Sequence, residues 1–133
     1  MSEKKKILVV EDDKDSKNAL CLMLESLGFE HMSFEGGQAA LDEIKKNKNN
    51  NIDICLLDVM MPGMNGYELL QELKKLDEFK NTPCIMVTAK TEDEDVIEGY
   101  KHGVDYYITK PYTREQISFG INICLNPEVQ NES

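Results

Sequence analysis

The sequence predicts a doubly wound α/β domain, a five-stranded parallel sheet flanked by five helices, on three observations. Short apolar, β-branched runs alternate with amphipathic stretches roughly every twenty-five residues, the spacing of successive βα units. The run at residues 52–57 is apolar at nearly every position, as a strand covered on both faces requires. At 133 residues the chain has the size of one domain with one core, able to bury about two thirds of its unfolded surface.

The first strand is Ile7-Leu8-Val9-Val10, which stops abruptly at Glu11-Asp12-Asp13. Ala19, Leu20, Met23, Leu24 and Leu27 then share one helical face over residues 15–27, and Gly28 caps that helix. Residues 29–34 alternate apolar and polar side chains, as a half-buried edge strand does. Gly36-Gly37 breaks them before a helix carrying Ala40, Leu41 and Ile44, and residues 45–51 are polar and loop-like. Residues 52–57 form the third, central strand, ending at Asp58. The turn cluster Met61-Pro62-Gly63-Met64-Asn65-Gly66 precedes a helix with Leu69, Leu70, Leu73 and Leu76.

Pro83 restarts the chain as a fourth strand over residues 84–87, followed by Thr88-Ala89-Lys90. A helix over residues 92–101 is closed by Gly103, and Tyr106 to Ile108 make a fifth strand. Lys110-Pro111 leads into a last helix over residues 113–125, stopped by Asn126-Pro127. On that helix Ile117, Ile121, Cys124 and Leu125 form the core face, so Phe119 and Ile123 point away. Gly120 inside it costs about 1 kcal/mol against alanine. The domain is expected over residues 1–127, with a polar tail over 128–133.

Composition narrows the function. No apolar run approaches the ~20 residues that span a bilayer, and basic Met1 to Lys6 leads only into a short apolar run, unlike a signal peptide. The expected location is the cytoplasm. A net charge of −10 argues against direct contact with nucleic acid or anionic lipid, which need a cationic footprint. Cys21, Cys55, Cys84 and Cys124 are widely spaced and mostly lie in apolar runs, so they are expected as free, small apolar residues rather than disulfide or zinc ligands.

In open parallel sheets the functional site lies beyond the carboxyl ends of the strands. Four of these ends carry chemistry: Glu11-Asp12-Asp13 after the first, Asp58 after the third, Thr88 after the fourth and Lys110 after the fifth. Crowded carboxylates repel by roughly 3 kcal/mol per pair at ~5 Å in an effective dielectric of about 20, which a bound cation relieves. Oxygen-only ligands favour Mg²⁺ or Mn²⁺. Asp12 and Asp58 are expected as direct ligands, Glu11 through water, with the backbone carbonyl of Met60 completing the shell. Asp58 then suits attack on a phosphoryl group, with Lys110 and Thr88 as partners for the phosphoryl oxygens.

Taken singly these residues have plainer readings. Asp13 and Asp15 suit helix capping, Thr88 a strand end and Lys110 a solvated charge, while His31 and His102 have neither metal-ligand nor phosphodonor spacing. Their joint placement at four strand ends favours the site.

The segments Val9-Val10-Glu11-Asp12-Asp13, Leu57-Asp58-Val59-Met60-Met61-Pro62-Gly63-Met64-Asn65-Gly66, Val87-Thr88-Ala89-Lys90 and Gly103-Val104-Asp105-Tyr106-Tyr107-Ile108-Thr109-Lys110-Pro111-Tyr112 together resemble a two-component response-regulator receiver domain. The resemblance spans about residues 5–125 and implies a flavodoxin-like strand order 2-1-3-4-5. It implies Asp58 as phosphoacceptor, Glu11 and Asp12 as the acidic pair, Thr88 and Lys110 as phosphoryl partners, and Tyr107 as the aromatic that switches. It further implies a histidine kinase or histidine phosphotransfer protein as donor, a downstream protein partner, and no enzyme activity beyond Mg²⁺-dependent self-phosphorylation and autodephosphorylation. Phosphate lifetime in this family depends on the residues two beyond the acceptor and the threonine, here Met60 and Lys90.

Asn18 and Leu22, on the outer face of the first helix beside the site, are expected to meet the donor. Phe119 and Ile123 are candidates for an output or phosphorylation-dependent dimer surface. A flavin module fits poorly, because Glu11-Asp12-Asp13 would repel a cofactor phosphate. An aspartate-nucleophile phosphatase wants a carboxylate where Met60 stands, and a phosphorylation-independent receiver-like module would lack some of the acidic pair, acceptor or lysine, all of which are here. The chain has no room for an effector, so it stands alone or belongs to a larger regulator or hybrid kinase; Met1 and the polar tail favour the first.

Overall fold

A computed structural model of the protein describes residues 4–47, 49–89 and 103–126. Along the chain these form β1 (Lys6–Val10), α1 (Lys14–Ser26), β2 (Glu30–Phe34), α2 (Gly37–Lys46), β3 (Ile54–Asp58), α3 (Gly66–Lys74), a 3₁₀ turn (Asp77–Phe79), β4 (Cys84–Thr88), β5 (Tyr106–Thr109) and α4 (Arg114–Leu125). The helix expected over residues 92–101, His102, Lys90 and the tail over 128–133 lie outside the described residues.

The five strands form one parallel sheet in the order β2-β1-β3-β4-β5. Winding runs outward from β1 to β2, then returns across β1 to β3, so β1 and β3 flank the point where it reverses. The register then builds the site: Val10 pairs with Leu57, which sets Glu11 beside Asp58, and Thr88 pairs with Thr109, which sets Lys110 just past the last rung.

Alternation of side chains divides the core into two layers. Leu8, Val10, Cys55, Leu57 and Met86 face α2 and α3, while Ile7, Val9, Ile54, Leu56, Ile85 and Val87 face α1 and α4. Every residue of β3 and β4 is buried, as the apolar runs require, and β2 is a half-buried edge. All four cysteines are buried with free thiols; burial pushes the Cys55 thiol up to about 12.

Local chemistry sets the boundaries. Asp13 accepts the Ser16 N–H at 2.8 Å and caps α1, which holds its carboxyl below the ordinary value. Asn65 with Glu68, and Thr113 with Gln116, close reciprocal capping boxes at the starts of α3 and α4. β3 starts at Ile54, just after Asp53, whose carboxylate accepts the Lys6 N–H at 2.8 Å while its own N–H donates to the Lys6 carbonyl at 2.8 Å. It runs on through Asp58, which pairs with Val87.

Three details depart from the sequence pattern. Ala19 is exposed: it lies about 100° round α1 from Leu20, at the rim of the stripe that Leu20 and Leu24 centre. The 3₁₀ turn buries Phe79, and Lys74 Nζ ties it down through the Phe79 and Thr82 carbonyls at 3.1 and 2.6 Å. Gly120 faces the core, where a Cβ would lie 3.1 Å from Ile108 and from the Tyr106 ring, so its cost to the helix is offset by the close approach of α4 to β5.

Candidate functional site

Backbone bonds beyond the sheet place the charged side chains. Glu11 N–H donates to the Phe34 carbonyl at 3.1 Å and Lys110 N–H to the Thr88 carbonyl at 2.8 Å, so both residues continue the ladder past their strands. The Lys110–Pro111 peptide is cis. Lys110 Nζ donates to Glu11 Oε1 at 2.5 Å and to Asp58 Oδ2 at 3.3 Å. The other Asp58 oxygen, Oδ1, accepts the Met60 N–H at 3.1 Å, and Glu11 Oε2 accepts the Asp13 N–H at 3.4 Å.

Glu11 and Asp58 are buried and Asp12 is exposed, yet one carboxylate oxygen from each lies within 4.8 Å of the others. Burial raises the Glu11 pKa, and a hydrogen bond shared with Asp58 raises it further against the opposing pull of Lys110. Burial pulls the Lys110 ammonium down, but its bond to Glu11 and the negative charges of Asp58 and Glu11 more than restore it, so it stays protonated. The ammonium thus bridges two buried carboxylates whose cluster opens to solvent at Asp12.

The donor set fits a hard divalent cation: three carboxylates, no sulfur, no imidazole, and an open side for water or a phosphoryl oxygen. Gly66 keeps the acceptor loop tight. Its N–H donates to the Val59 carbonyl at 3.1 Å, and a Cβ there would stand 2.4 Å from the Asp58 carbonyl oxygen. Thr88 is buried, 2% exposed, at the end of β4.

The structure therefore brings Glu11, Asp12, Asp58 and Lys110 together, with Thr88 joined to Lys110 through the backbone. The Met60 side chain is 55% exposed at the site's edge. Asn18 is exposed and Leu22 is 65% exposed on α1; on α4 Phe119 is 58% exposed, its ring 6.4 Å from that of Tyr106, and Ile123 is half-buried. Sequence reasoning missed Tyr67, whose hydroxyl lies 2.7 Å from that of Tyr107. Its one signal was an aromatic placed directly after Gly66, at the start of a helix.

The family model described as response regulator receiver domain matches residues 7–121. The chain belongs to this family. Among curated relatives, the receiver is 39% identical to the transcriptional regulatory protein RprY of Bacteroides fragilis over 125 residues, 94% of this chain and 51% of RprY. It is 41% identical to the regulatory protein VanRc of Enterococcus gallinarum, over 84% of this chain and 45% of that protein. The chain thus spans about half the length of the curated relatives it matches. Among solved structures, the chemotaxis protein CheY4 of Vibrio cholerae superposes with a TM-score of 0.86 at 27% identity, covering 92% of this chain and 100% of CheY4. The receiver domain of the Francisella response regulator 1452 superposes at 0.81 with 34% identity, covering 94% and 99%. The receiver is a signal-transduction module of phosphorelays. Among the described residues no helix is long and apolar enough to cross a membrane.

Proposed function

We propose that Asp58 is the phosphoacceptor of this receiver, taking a phosphoryl group from the phosphohistidine of a histidine kinase or phosphotransfer protein in the cytoplasm. The observation that carries the reading is the setting of its carboxylate. One oxygen is oriented by the Met60 N–H while the other lies beside the Lys110 ammonium, and one Asp58 oxygen lies within 4.8 Å of a carboxylate oxygen from each of Glu11 and Asp12. In the transfer the P–N bond of the donor breaks, an Asp58 O–P bond forms, and the imidazole leaves with a proton.

Glu11, Asp12, Asp58 and the Met60 carbonyl would hold Mg²⁺, with Mn²⁺ as a substitute. Such an ion supplies neutralisation of the phosphoryl charge. Lys110 gives its ammonium to one phosphoryl oxygen, at the cost of its present bonds to Glu11 and Asp58, and Thr88 gives its hydroxyl to another. Drawn toward the phosphate, Thr88 alters the space beside Tyr107, and the populations of the Tyr107 positions shift with it. Exposed Asn18 and Leu22 suit donor docking, and Phe119 with Ile123 suit a downstream partner or a second copy.

Incubation with a small acyl phosphate and Mg²⁺ should add one phosphoryl group by intact mass, and Asp58→Asn should abolish it. Undiminished phosphate on that variant would sink the assignment.

A further inference from the structure

The hydroxyl pair between α3 and β5 carries a role that the acceptor site alone does not explain. Tyr107 is half-buried against the layer that contains Leu57, Met86 and Leu70, and its hydroxyl lies 2.7 Å from that of Tyr67. Tyr67 is the second residue of α3 and is half-buried against the same layer. Its place relative to the acceptor is fixed through the backbone. Gly66, its neighbour, is bonded to Val59 and packed so closely on Asp58 that a Cβ would fall 2.4 Å from the Asp58 carbonyl oxygen.

This hydrogen bond therefore joins the start of α3, next to the acceptor's turn, directly to β5. In a partly buried setting such a bond competes less with water than on the surface. Aromatic packing alone would hold two rings together without aligning two oxygens at hydrogen-bond distance.

We infer that Tyr67 is a positioning residue of the switch: its hydroxyl holds Tyr107 in the inward, half-buried position and sets how much of that state exists before any phosphoryl group arrives. The inference rests on the reading of Tyr107 as the side chain that phosphorylation moves. A phosphoryl group can shift only the population still left in the other state, so Tyr67 sets the size of the response as well as its resting level. Tyr67→Phe keeps the ring and removes only the oxygen.

The test places a fluorotyrosine at position 107 of the full chain and compares ¹⁹F spectra of parent and Tyr67→Phe, before and after a small acyl phosphate with Mg²⁺, with intact mass reporting phosphate. Loss of the Tyr67–Tyr107 hydrogen bond should lower the inward-to-exposed ratio of Tyr107 about five-fold in the unphosphorylated variant. Phosphorylation at Asp58 should persist and recover part of the inward population. An unchanged Tyr107 signal in the variant overturns the inference. If Tyr107 shifts in the variant while neither protein takes phosphate, the pairing stands and the Asp58 reading falls. A denaturant double-mutant cycle gives a second readout: the effects of Tyr67→Phe and Tyr107→Phe should be non-additive, and full additivity would show that the hydroxyls do not act on each other.

Discussion

The two ends of the sheet both carry acidic residues, and they use them in opposite ways. At the amino end, Asp53 accepts the Lys6 N–H at 2.8 Å while its own N–H returns to the Lys6 carbonyl at 2.8 Å. Asp105 repeats the device on the β4–β5 pair, accepting the Cys84 N–H at 2.8 Å and donating to the Cys84 carbonyl at 2.9 Å. Strands start with N–H groups that need acceptors, so an aspartate there completes the ladder. At the carboxyl end the strands finish in carbonyls, which a carboxylate cannot satisfy. Glu11 and Asp58 instead face each other across Lys110, and the Glu11 pKa rises. Acids at one end complete the ladder; at the other they crowd together, with Asp12, into a cluster that could hold a metal ion.

Substitutions should separate the two ends. The largest effect is expected for Asp105→Ala, which leaves the N–H of buried Cys84 without this acceptor and should cost about 1–3 kcal/mol in urea unfolding. Asp12→Ala, exposed and free of such a duty to the ladder, should change metal-free stability by less than about 0.5 kcal/mol. Equal losses in the two variants would erase the distinction.

A second effect concerns pH. Because the folded Glu11 pKa lies above its unfolded value, the native state binds the proton more tightly, and stability falls as pH rises from the ordinary value through the raised one. In chelator, Glu11→Gln should remove that fall and unfold at a higher temperature than the parent at neutral pH. A variant whose acid-side profile matches the parent's would place the source of that fall elsewhere.

The smallest expected effect is on lifetime. Met60 stands exposed beside the acceptor with no side-chain group to orient an attacking water, so Met60→Asn should speed loss of phosphate several-fold, on the order of 1 kcal/mol in barrier. Decay of the purified phosphoprotein in Mg²⁺ is the check, and an unchanged rate would acquit residue 60.

Much of this contrast was legible in the sequence, because abrupt breaks from apolar runs to Glu11, Asp58, Thr88 and Lys110 mark where strands end. The strand order followed from family resemblance, since spacing alone cannot choose which strands are neighbours. What stayed hidden depends on contacts between distant segments. Tyr67 meets Tyr107 forty residues away. Phe79 sits alone in a polar stretch without periodicity, and Gly120 reads as a helix defect until Ile108 and Tyr106 are seen against it. Asp53 read as part of the third strand and Asp105 as a residue just before the fifth, because their bonds to the backbone of other strands leave no local signal.

The claim that the carboxyl-end acids exist for a cation is tested most directly by thermal unfolding across a Mg²⁺ titration of the parent, Asp12→Asn and Asp53→Asn. At a hundredfold excess over its dissociation constant, Mg²⁺ should stabilise the parent and Asp53→Asn by about 2.7 kcal/mol and leave Asp12→Asn largely unaffected. Equal stabilisation of Asp12→Asn and the parent, or loss of the effect in Asp53→Asn, would contradict it.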